Sequence, residues 1–141
     1  MTPIELALMH GKCFQTPRPW SEVEFSSFLA DETCAFFELE QGFLIGRFVE
    51  DEGEVLTLAV DPSARGRGIG LALMQFFHKA AESHGIKQLF LEVSAENNAA
   101  ITLYHKLGYQ QTGSRPRYYQ APNGIQFDAL VLALNLAATK T

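Results

Sequence analysis

The chain has 141 residues, of which 47% are hydrophobic and 19% charged, which excludes a disordered or fibrous protein. This length suits a single domain over residues 1–141. Sixteen acidic residues against 11 basic ones give a net charge of −5, without the basic footprint of a nucleic-acid-binding protein. No apolar run approaches the ~18 residues of a membrane span, and no signal peptide is evident. We therefore expect a cytoplasmic protein without nucleic-acid or membrane partners.

The first half of the chain predicts two helices and then an antiparallel meander. A helix is predicted over residues 4–14, with Ile4 and Leu8 on one side, and Pro17 and Pro19 then require an extended connection. Ser21, with Glu24 three positions later, forms a capping box for a second helix. Three strand-like runs follow, separated by short turns: Cys34–Glu40, Phe43–Glu50 and Glu54–Val60.

The acidic run Glu50–Glu54 is interpreted as a solvated hairpin tip.

The second half alternates strands and helices. Residues 69–83 predict a helix that ends at Gly85 and has apolar residues on its inward face, namely Ile69, Leu73, Phe76, Phe77 and Ala80. The remaining segments predict a strand, a helix and two more strands: Gln88–Ser94, Asn97–Leu107, Tyr109–Gly113 and Gly124–Leu136. Two strand-to-helix units after a meander predict an α/β fold. Its mixed sheet should have six or seven strands and helices on both faces.

The cysteines and histidines give no sign of a metal site. Cys13 and Cys34 are interpreted as buried apolar thiols of a reducing compartment. The four histidines lack both metal-ligand spacing and a nucleophile partner, so surface or capping roles are expected for His10, His78, His84 and His105. We therefore predict no metal. Without a nucleophilic cysteine in a polar setting, a covalent enzyme intermediate is not expected either.

A glycine-rich loop joins a predicted strand to a predicted helix, and it reads Arg65-Gly66-Arg67-Gly68-Ile69-Gly70. Alternate glycines expose successive N–H groups, and the following helix adds a partial positive charge, so the backbone can bind an anion. Arg65 and Arg67 could add charged contacts. The Rossmann pattern would require glycine at Leu71, and the nucleoside-triphosphate loop requires a Lys-Ser/Thr pair. On this motif alone, an ordinary tight turn stays open as the alternative.

Two motifs resemble the signatures of the GNAT acetyltransferases. The first is Arg65-x-x-Gly68-x-Gly70 after a strand ending in Leu58-Ala59-Val60-Asp61-Pro62, and the second is Asn97-x-x-Ala100-x-x-Leu103-Tyr104 before Leu107-Gly108-Tyr109. Within that superfamily the chain is most similar to the bacterial RimI-type enzymes, which acetylate the N-terminal alanine of a small-subunit ribosomal protein. The segments that carry this likeness are Pro19-Trp20-Ser21, Leu91-Glu92-Val93, Asn97–Tyr104, Arg117-Tyr118-Tyr119 and Asp128-Ala129.

The resemblance implies the GNAT fold and acetyl-CoA as cosubstrate. The glycine-rich loop would hold the pyrophosphate, the strand before it would pair with the pantetheine arm, and Asn97 would also contact that arm. The implied cofactor-binding residues are Leu58, Ala59, Val60, Arg65, Gly66, Arg67, Gly68, Ile69, Gly70, Leu71 and Asn97. Many relatives carry Arg or Lys where this chain has Leu71, so any contribution of that side chain is missing here.

Glu92 is the carboxylate that we predict to be the general base. Strand alternation places it on the same face as Phe90 and Ser94, in a strand whose neighbours are largely apolar. A desolvated carboxylate there would have a raised pKa, which suits a base. The alternative is a strand-end glutamate paired with an arginine. The resemblance favours the base, because RimI-type enzymes use a glutamate at the matching position.

Tyr104 is the predicted general acid. Helical spacing aligns it with Ala100, Leu103 and Leu107 on the inward face, where a tyrosine usually packs in the core. The superfamily commonly places a tyrosine here beside the coenzyme sulfur, and the RimI-type likeness includes this residue. The resemblance therefore implies that Tyr104 protonates the departing thiolate.

These observations lead to one main hypothesis and two alternatives. The main hypothesis is direct acetyl transfer from acetyl-CoA to the N-terminal alanine of a ribosomal protein, by a monomer or weak dimer. One alternative is the same chemistry on a small-molecule amine. The other is a non-catalytic coenzyme A-binding module, which would need neither Glu92 nor Tyr104. The predicted loop Arg115–Tyr119 either shapes the acceptor groove or is an ordinary polar connection.

Overall fold

The computed structural model describes residues 1–14 and 18–136; Pro17, at the predicted extended connection, lies outside them. The helices are α1 (Pro3–Cys13), α2 (Glu22–Ala30), α3 (Ile69–Ser83) and α4 (Asn98–Lys106), with a 3₁₀ turn at Pro62–Ala64. Both α1 and α2 begin with a capping box, at Thr2 and Ser21. Within the described residues, no helix is long and apolar enough to cross a membrane.

The strands form one six-stranded mixed sheet in the order β1-β2-β3-β4-β6-β5. Only β3 and β4 pair in parallel, through a crossover that contains α3, and the other neighbours within the described residues pair antiparallel. The sheet confirms the predicted fold class. Its strands are β1 (Cys34–Leu39), β2 (Gly42–Val49), β3 (Glu52–Val60), β4 (Gln88–Ser94), β5 (Gln110–Gln120) and β6 (Gln126–Asn135).

Two hydrophobic clusters cover the two faces of the sheet, as predicted. One cluster joins α3 and α4 to the sheet and includes Leu73, Phe77, Leu91 and Tyr104. The other joins α1 and α2 to the sheet and is centred on Leu6, Phe25, Phe43, Ile45 and Ala59. Successive side chains along the strands point alternately into the two clusters, so the sheet is buried between two helical layers over much of its area.

The buried faces of two helices differ from the apolar sides that helical spacing picks out in the sequence. On α1, Leu6 and His10 are buried, whereas Ile4 and Leu8 are 54% and 65% exposed. On α3, Phe76 is 46% exposed, and Met74 occupies the core beside Leu73. Both errors arise because apolar residues lie on more than one stripe of the helix, and helical spacing alone does not say which stripe faces the sheet.

The segment Arg115–Tyr119 is part of β5, which corrects its prediction as a loop. The pairing with β6 is irregular between Arg115 and Tyr119, and Arg117 has a φ of 54°. The Arg117 N–H donates to Oδ1 of Asp128 at 2.9 Å. An edge strand tolerates the proline and the bulge that make this sequence look like a loop.

Strands β3 and β4 are paired at one end and separate at the other. Their pairing runs from Glu52–Gln88 to Val55–Leu91. Just beyond that point, the register of β2 against β3 shifts between Ile45 and Gly46, which is the mark of a β-bulge. In this fully described part of the chain, β3 and β4 no longer pair after Val55–Leu91. The result is an opening between the last residues of the two strands.

Candidate functional site

The glycine-rich loop lies at the N-terminus of α3 and is open to solvent. Gly66 and Gly68 have φ values of 82° and 80°, and a Cβ on either would meet nothing within 4 Å. Gly68 is the N-cap of α3, it makes no side-chain cap, and the first turn of α3 carries no acidic residue. The N–H groups of this helix end and its partial positive charge are therefore available to an anion.

The side chains around this loop suit a pyrophosphate. Arg65 and Arg67 are exposed and lie within the loop, where they can add charge-assisted hydrogen bonds. Leu71 is 39% exposed and supplies no charge, so the backbone carries most of the binding. Both the loop geometry and the sign of its charge thus fit the anionic end of a nucleotide cofactor.

The predicted cofactor-arm residues lie beside the opening in the sheet. Leu58, Ala59 and Val60 follow the last paired position of β3, so one edge of this strand has no β4 partner in the described structure. Asn97 is the N-cap of α4, and its side-chain oxygen accepts from the N–H of Ala100 at 3.2 Å. An extended arm could therefore enter between β3 and β4 and follow the free edge of β3.

Glu92 lies on β4 just past the last paired position and is bound to an arginine. Its Oε1 lies 3.1 Å from Nη2 of Arg115, and the side chains are 25% and 55% exposed. The guanidinium carbon of Arg115 also lies 5.2 Å from the ring centre of Tyr118. The alternative that the sequence left open, a glutamate paired with an arginine, is therefore present. Such a pair leaves the carboxylate in place as an acceptor for a cationic amine.

Tyr104 is 6% exposed and packs edge-on against Tyr109, with ring centres 5.9 Å apart. Burial raises the pKa of the Tyr104 hydroxyl. Tyr104 belongs to the cluster under α3 and α4, together with Leu91 and Val93. Glu92 alternates with those two residues and so faces the other side of the sheet. The two predicted catalytic side chains therefore lie on opposite faces of the sheet.

Sequence reasoning missed Glu54 as a residue of this site. It lies within β3, two residues after the strand begins, rather than in a hairpin tip, and its register partners are Arg47 on β2 and Phe90 on β4. The pKa of Glu54 is raised, chiefly by loss of hydration, with Arg47 opposing the rise and Glu92 adding to it. The raised pKa expected of a catalytic carboxylate is thus found here. The sequence could indicate this role of Glu54 only if the pairing of β3 with β4 were already known.

Ser94 ends β4 on the same face as Glu92 and is 4% exposed. Among the described residues, its Oγ is the one buried side-chain oxygen or nitrogen atom without a hydrogen-bond partner. A buried hydroxyl that lacks a partner costs stability, so its place beside the opening is consistent with a polar site there.

His10 is buried and His78 is partly buried, which corrects the surface or capping roles expected for these two histidines. His10 is 1% exposed, its Nδ1 accepts from the Trp20 N–H at 3.0 Å, and its Nε2 lies 2.8 Å from Oγ1 of Thr57. His78 Nε2 lies 2.8 Å from the hydroxyl of Tyr109. The thiols of Cys13 and Cys34 are free and only partly buried.

Comparison with known proteins agrees with this geometry. The Acetyltransferase (GNAT) family matches residues 6–109, which is most of the chain. The chain is 36% identical over 123 residues to the [Ribosomal protein bS18]-alanine N-acetyltransferase of Escherichia coli (strain K12), covering 84% of this chain and 82% of that protein. It is 32% identical over 123 residues to the N-alpha-acetyltransferase RimI of Mycobacterium tuberculosis, covering 81% of this chain and 76% of that protein.

Solved structures give the same result. The crystal structure of the ribosomal-protein-S18-alanine N-acetyltransferase from Escherichia coli matches with a TM-score of 0.83 and 32% identity, over 92% of this chain and 84% of that one. Arabidopsis thaliana NAA60 in complex with acetyl-CoA shares the fold, with a TM-score of 0.81 and 20% identity over 96% of this chain and 94% of that one. The matched family and these similarities, which cover both predicted motifs, establish that the chain is an acetyltransferase of the GNAT family.

Proposed function

We propose that this enzyme transfers the acetyl group of acetyl-CoA to the α-amino group of an N-terminal alanine on a small-subunit ribosomal protein. The observation that carries the proposal is the likeness at 36% identity to an enzyme named for that reaction, which covers more than four fifths of both chains. The open anion-binding loop, the separated strands and the Glu92–Tyr104 arrangement are what such a reaction requires.

In this proposal, the chain holds its cosubstrate mainly through the backbone. The N-terminus of α3 and Gly66 to Gly70 bind the pyrophosphate, and the free edge of β3 at Leu58–Val60 binds the arm. Acetyl-CoA supplies the activated acetyl group. A backbone N–H of β3 beside the opening can donate to the thioester carbonyl, where negative charge develops during attack.

In this proposal, Glu92 is the general base and Tyr104 is the general acid. An α-amino group has an ordinary pKa of about 7.7–8.0, so a modest base is enough to free its lone pair. Glu92 takes the proton on the acceptor side of the sheet. Tyr104 lies on the other side of the sheet with its hydroxyl still protonated, and it can give that proton to the departing sulfur. Both proton transfers act on the acetyl group that is held at the opening between β3 and β4.

The acceptor identity is tested with a panel of substrates. Purified enzyme with acetyl-CoA would be offered peptides that differ only in the first residue, such as Ala, Ser, Gly and Met, together with polyamines, amino acids and aminoglycosides. Mass spectrometry should show one added acetyl group on the α-amine of the Ala peptide, with the highest kcat/KM of the set. A peptide with the same sequence and a blocked N-terminus is the control for lysine acetylation. Preference for a small amine would overturn the proposed acceptor.

A further inference from the structure

Glu54 and Glu92 flank Phe90 on one face of the sheet. Glu54 pairs in register with Phe90, and Glu92 lies two residues further along β4. Neighbouring strands and a two-residue step place the Cα atoms of the two glutamates roughly 8 Å apart. Both positions lie within two residues of Val55–Leu91, where the pairing of β3 and β4 ends. A second carboxylate therefore stands beside the predicted base, at the entrance to the opening.

The two carboxylates differ in their surroundings. Glu92 is held by Arg115 and is 25% exposed, so an acceptor bound over it would cover most of its remaining surface. Glu54 is exposed and lines a surface cavity of about 100 Å³ together with Arg47, Glu52 and Phe90. Water can therefore still reach Glu54 when an acceptor covers Glu92.

The charges that act on Glu54 lie on the two neighbouring strands, β2 and β4, and on the edge strand β5. Arg47 on β2 and Arg115 on β5 favour its ionised form, whereas Glu92 on β4 disfavours it. Loss of hydration is the largest cause of the shift, Glu92 adds to it, and the net result is a raised pKa of Glu54. Glu52, on the same strand, lines the shared cavity. A carboxylate in this setting accepts a proton more readily than an ordinary surface glutamate.

We propose that Glu54 is a proton-relay residue that receives the acceptor's proton from Glu92 and releases it to solvent. The relay rests on the proposed function, because it needs an amine acceptor that is deprotonated at Glu92. Glu54 acts through Glu92 and through bridging water, without contact with the reacting atoms.

The protons and bonds balance in the following way. The ammonium of the acceptor gives one proton to Glu92, which passes it through water to Glu54 and then to solvent. The neutral nitrogen forms a bond with the acetyl carbon, and the carbon–sulfur bond breaks. The thiolate takes the proton of Tyr104, and the second proton lost by the nitrogen restores the Tyr104 hydroxyl. The products are the acetylated amine, free coenzyme A and one proton in solvent.

The test compares Glu54→Gln with Glu52→Gln, a matched change of charge on the same strand. Glu54→Gln should lower kcat about tenfold at pH 8 with little change in the KM of either substrate, because only proton removal is affected. Its rate should approach that of the wild type at acidic pH, where Glu54 is protonated in the wild type as well. Glu52→Gln should follow the wild-type profile throughout. A small carboxylate or imidazole buffer should restore part of the rate of Glu54→Gln.

Three outcomes would overturn the relay. These are a wild-type rate for Glu54→Gln, a loss that is the same at every pH and is not rescued by buffer, and an equal loss in Glu52→Gln. In a double-mutant cycle with Glu92→Gln, the two losses should fall short of additivity, since the steps lie on one path. Full additivity would also contradict the relay. If Glu92→Gln abolishes turnover while Glu54→Gln does not, only the relay fails. If the wild type acetylates no N-terminal peptide, the proposed function itself fails.

Discussion

The carboxylate of Glu92 on β4 is bound by the guanidinium of Arg115 on β5, with 3.1 Å between Oε1 and Nη2. Strand β6 lies between β4 and β5, so this ion pair spans a neighbouring strand of the sheet. Because both side chains remain partly exposed, solvent screens the pair, and it should contribute at most about 1 kcal/mol to stability. Its main consequence is geometric: it holds the predicted base in one orientation beside the opening.

Removing Arg115 should therefore affect catalysis more than folding. Arg115→Ala is expected to lower kcat by about tenfold, because the Glu92 carboxylate loses its fixed orientation. Arg115→Lys should restore part of the rate. Thermal unfolding should shift by only a few degrees, and Arg18→Ala, which breaks the exposed Arg18–Glu24 pair, is the control for a lost ion pair. Steady-state kinetics and melting curves on the three variants check this. An unchanged kcat in Arg115→Ala would contradict the positioning role.

The glycine-rich loop is tested by a charge at its centre. Gly68→Asp places a carboxylate where the backbone should meet the pyrophosphate, and calorimetry should show acetyl-CoA bound more than about tenfold more weakly. Gly68→Asn has nearly the same shape without the charge, so it should lose less affinity. The φ of 80° at Gly68 strains any side chain, and Gly124→Asp, at a φ of 86° in the β5–β6 turn, is the control for that strain. Full affinity in a folded Gly68→Asp variant would exclude the loop as the pyrophosphate site.

The sequence predicts α3 and β4 better than it predicts the buried face of α1. Residues 69–83 and 88–94 form the helix and strand that were predicted, because each has one clear period and is bounded by glycine or a polar turn. On α1, the buried face could not be predicted because it includes the polar residue His10. The burial of His10 depends on hydrogen bonds with Trp20 and Thr57 that only the tertiary structure supplies.

The parts of the candidate site that lie in sequence motifs could be predicted. The parts that depend on which strands pair could not. Gly66, Gly68 and Asn97 lie where their motifs indicate, at the starts of α3 and α4. The neighbours of Glu92 depend on which strands lie beside β4. No local pattern says that Arg115 reaches across β6 or that Glu54 stands on the next strand with a raised pKa.

Tyr104 should be needed for turnover and not for stability. Tyr104→Phe removes one oxygen and keeps the packing volume of the ring, so we expect it to cost about 1 kcal/mol of stability at most. We expect kcat to fall by about 10- to 1000-fold, while the KM of the acceptor changes little. Tyr109→Phe is the matched control, because its hydroxyl is bound to His78 and should matter for stability alone. A lower melting temperature with kcat retained in Tyr104→Phe would assign its hydroxyl to the core.

His10 couples the helical layer α1–α2 to β3 in a way that depends on its being neutral. Its Nδ1 accepts from the Trp20 N–H, so the neutral ring carries its proton on Nε2 and donates to Oγ1 of Thr57. Aromatic rings of Phe14, Trp20 and Phe25 surround the imidazole. Burial lowers the pKa of His10 from 6.5 to about 4, and the charge of Glu24 opposes this only partly.

This lowered pKa predicts acid sensitivity in a defined range. The unfolded chain binds a proton at His10 below pH 6.5 and the folded chain only below about 4, so stability should fall as the pH drops between these values. The shift corresponds to a loss of roughly 3 kcal/mol, complete near pH 4. Urea unfolding from pH 7.5 to 4 measures it. His10→Gln should be less stable at neutral pH but lose less on acidification, while His105→Gln, on the exposed side of α4, should follow the wild type. Burial also lowers the pKa of His78, which is present in all three proteins and therefore adds the same dependence of stability on pH to each. Parallel curves for the wild type and His10→Gln would show that His10 does not cause the acid sensitivity.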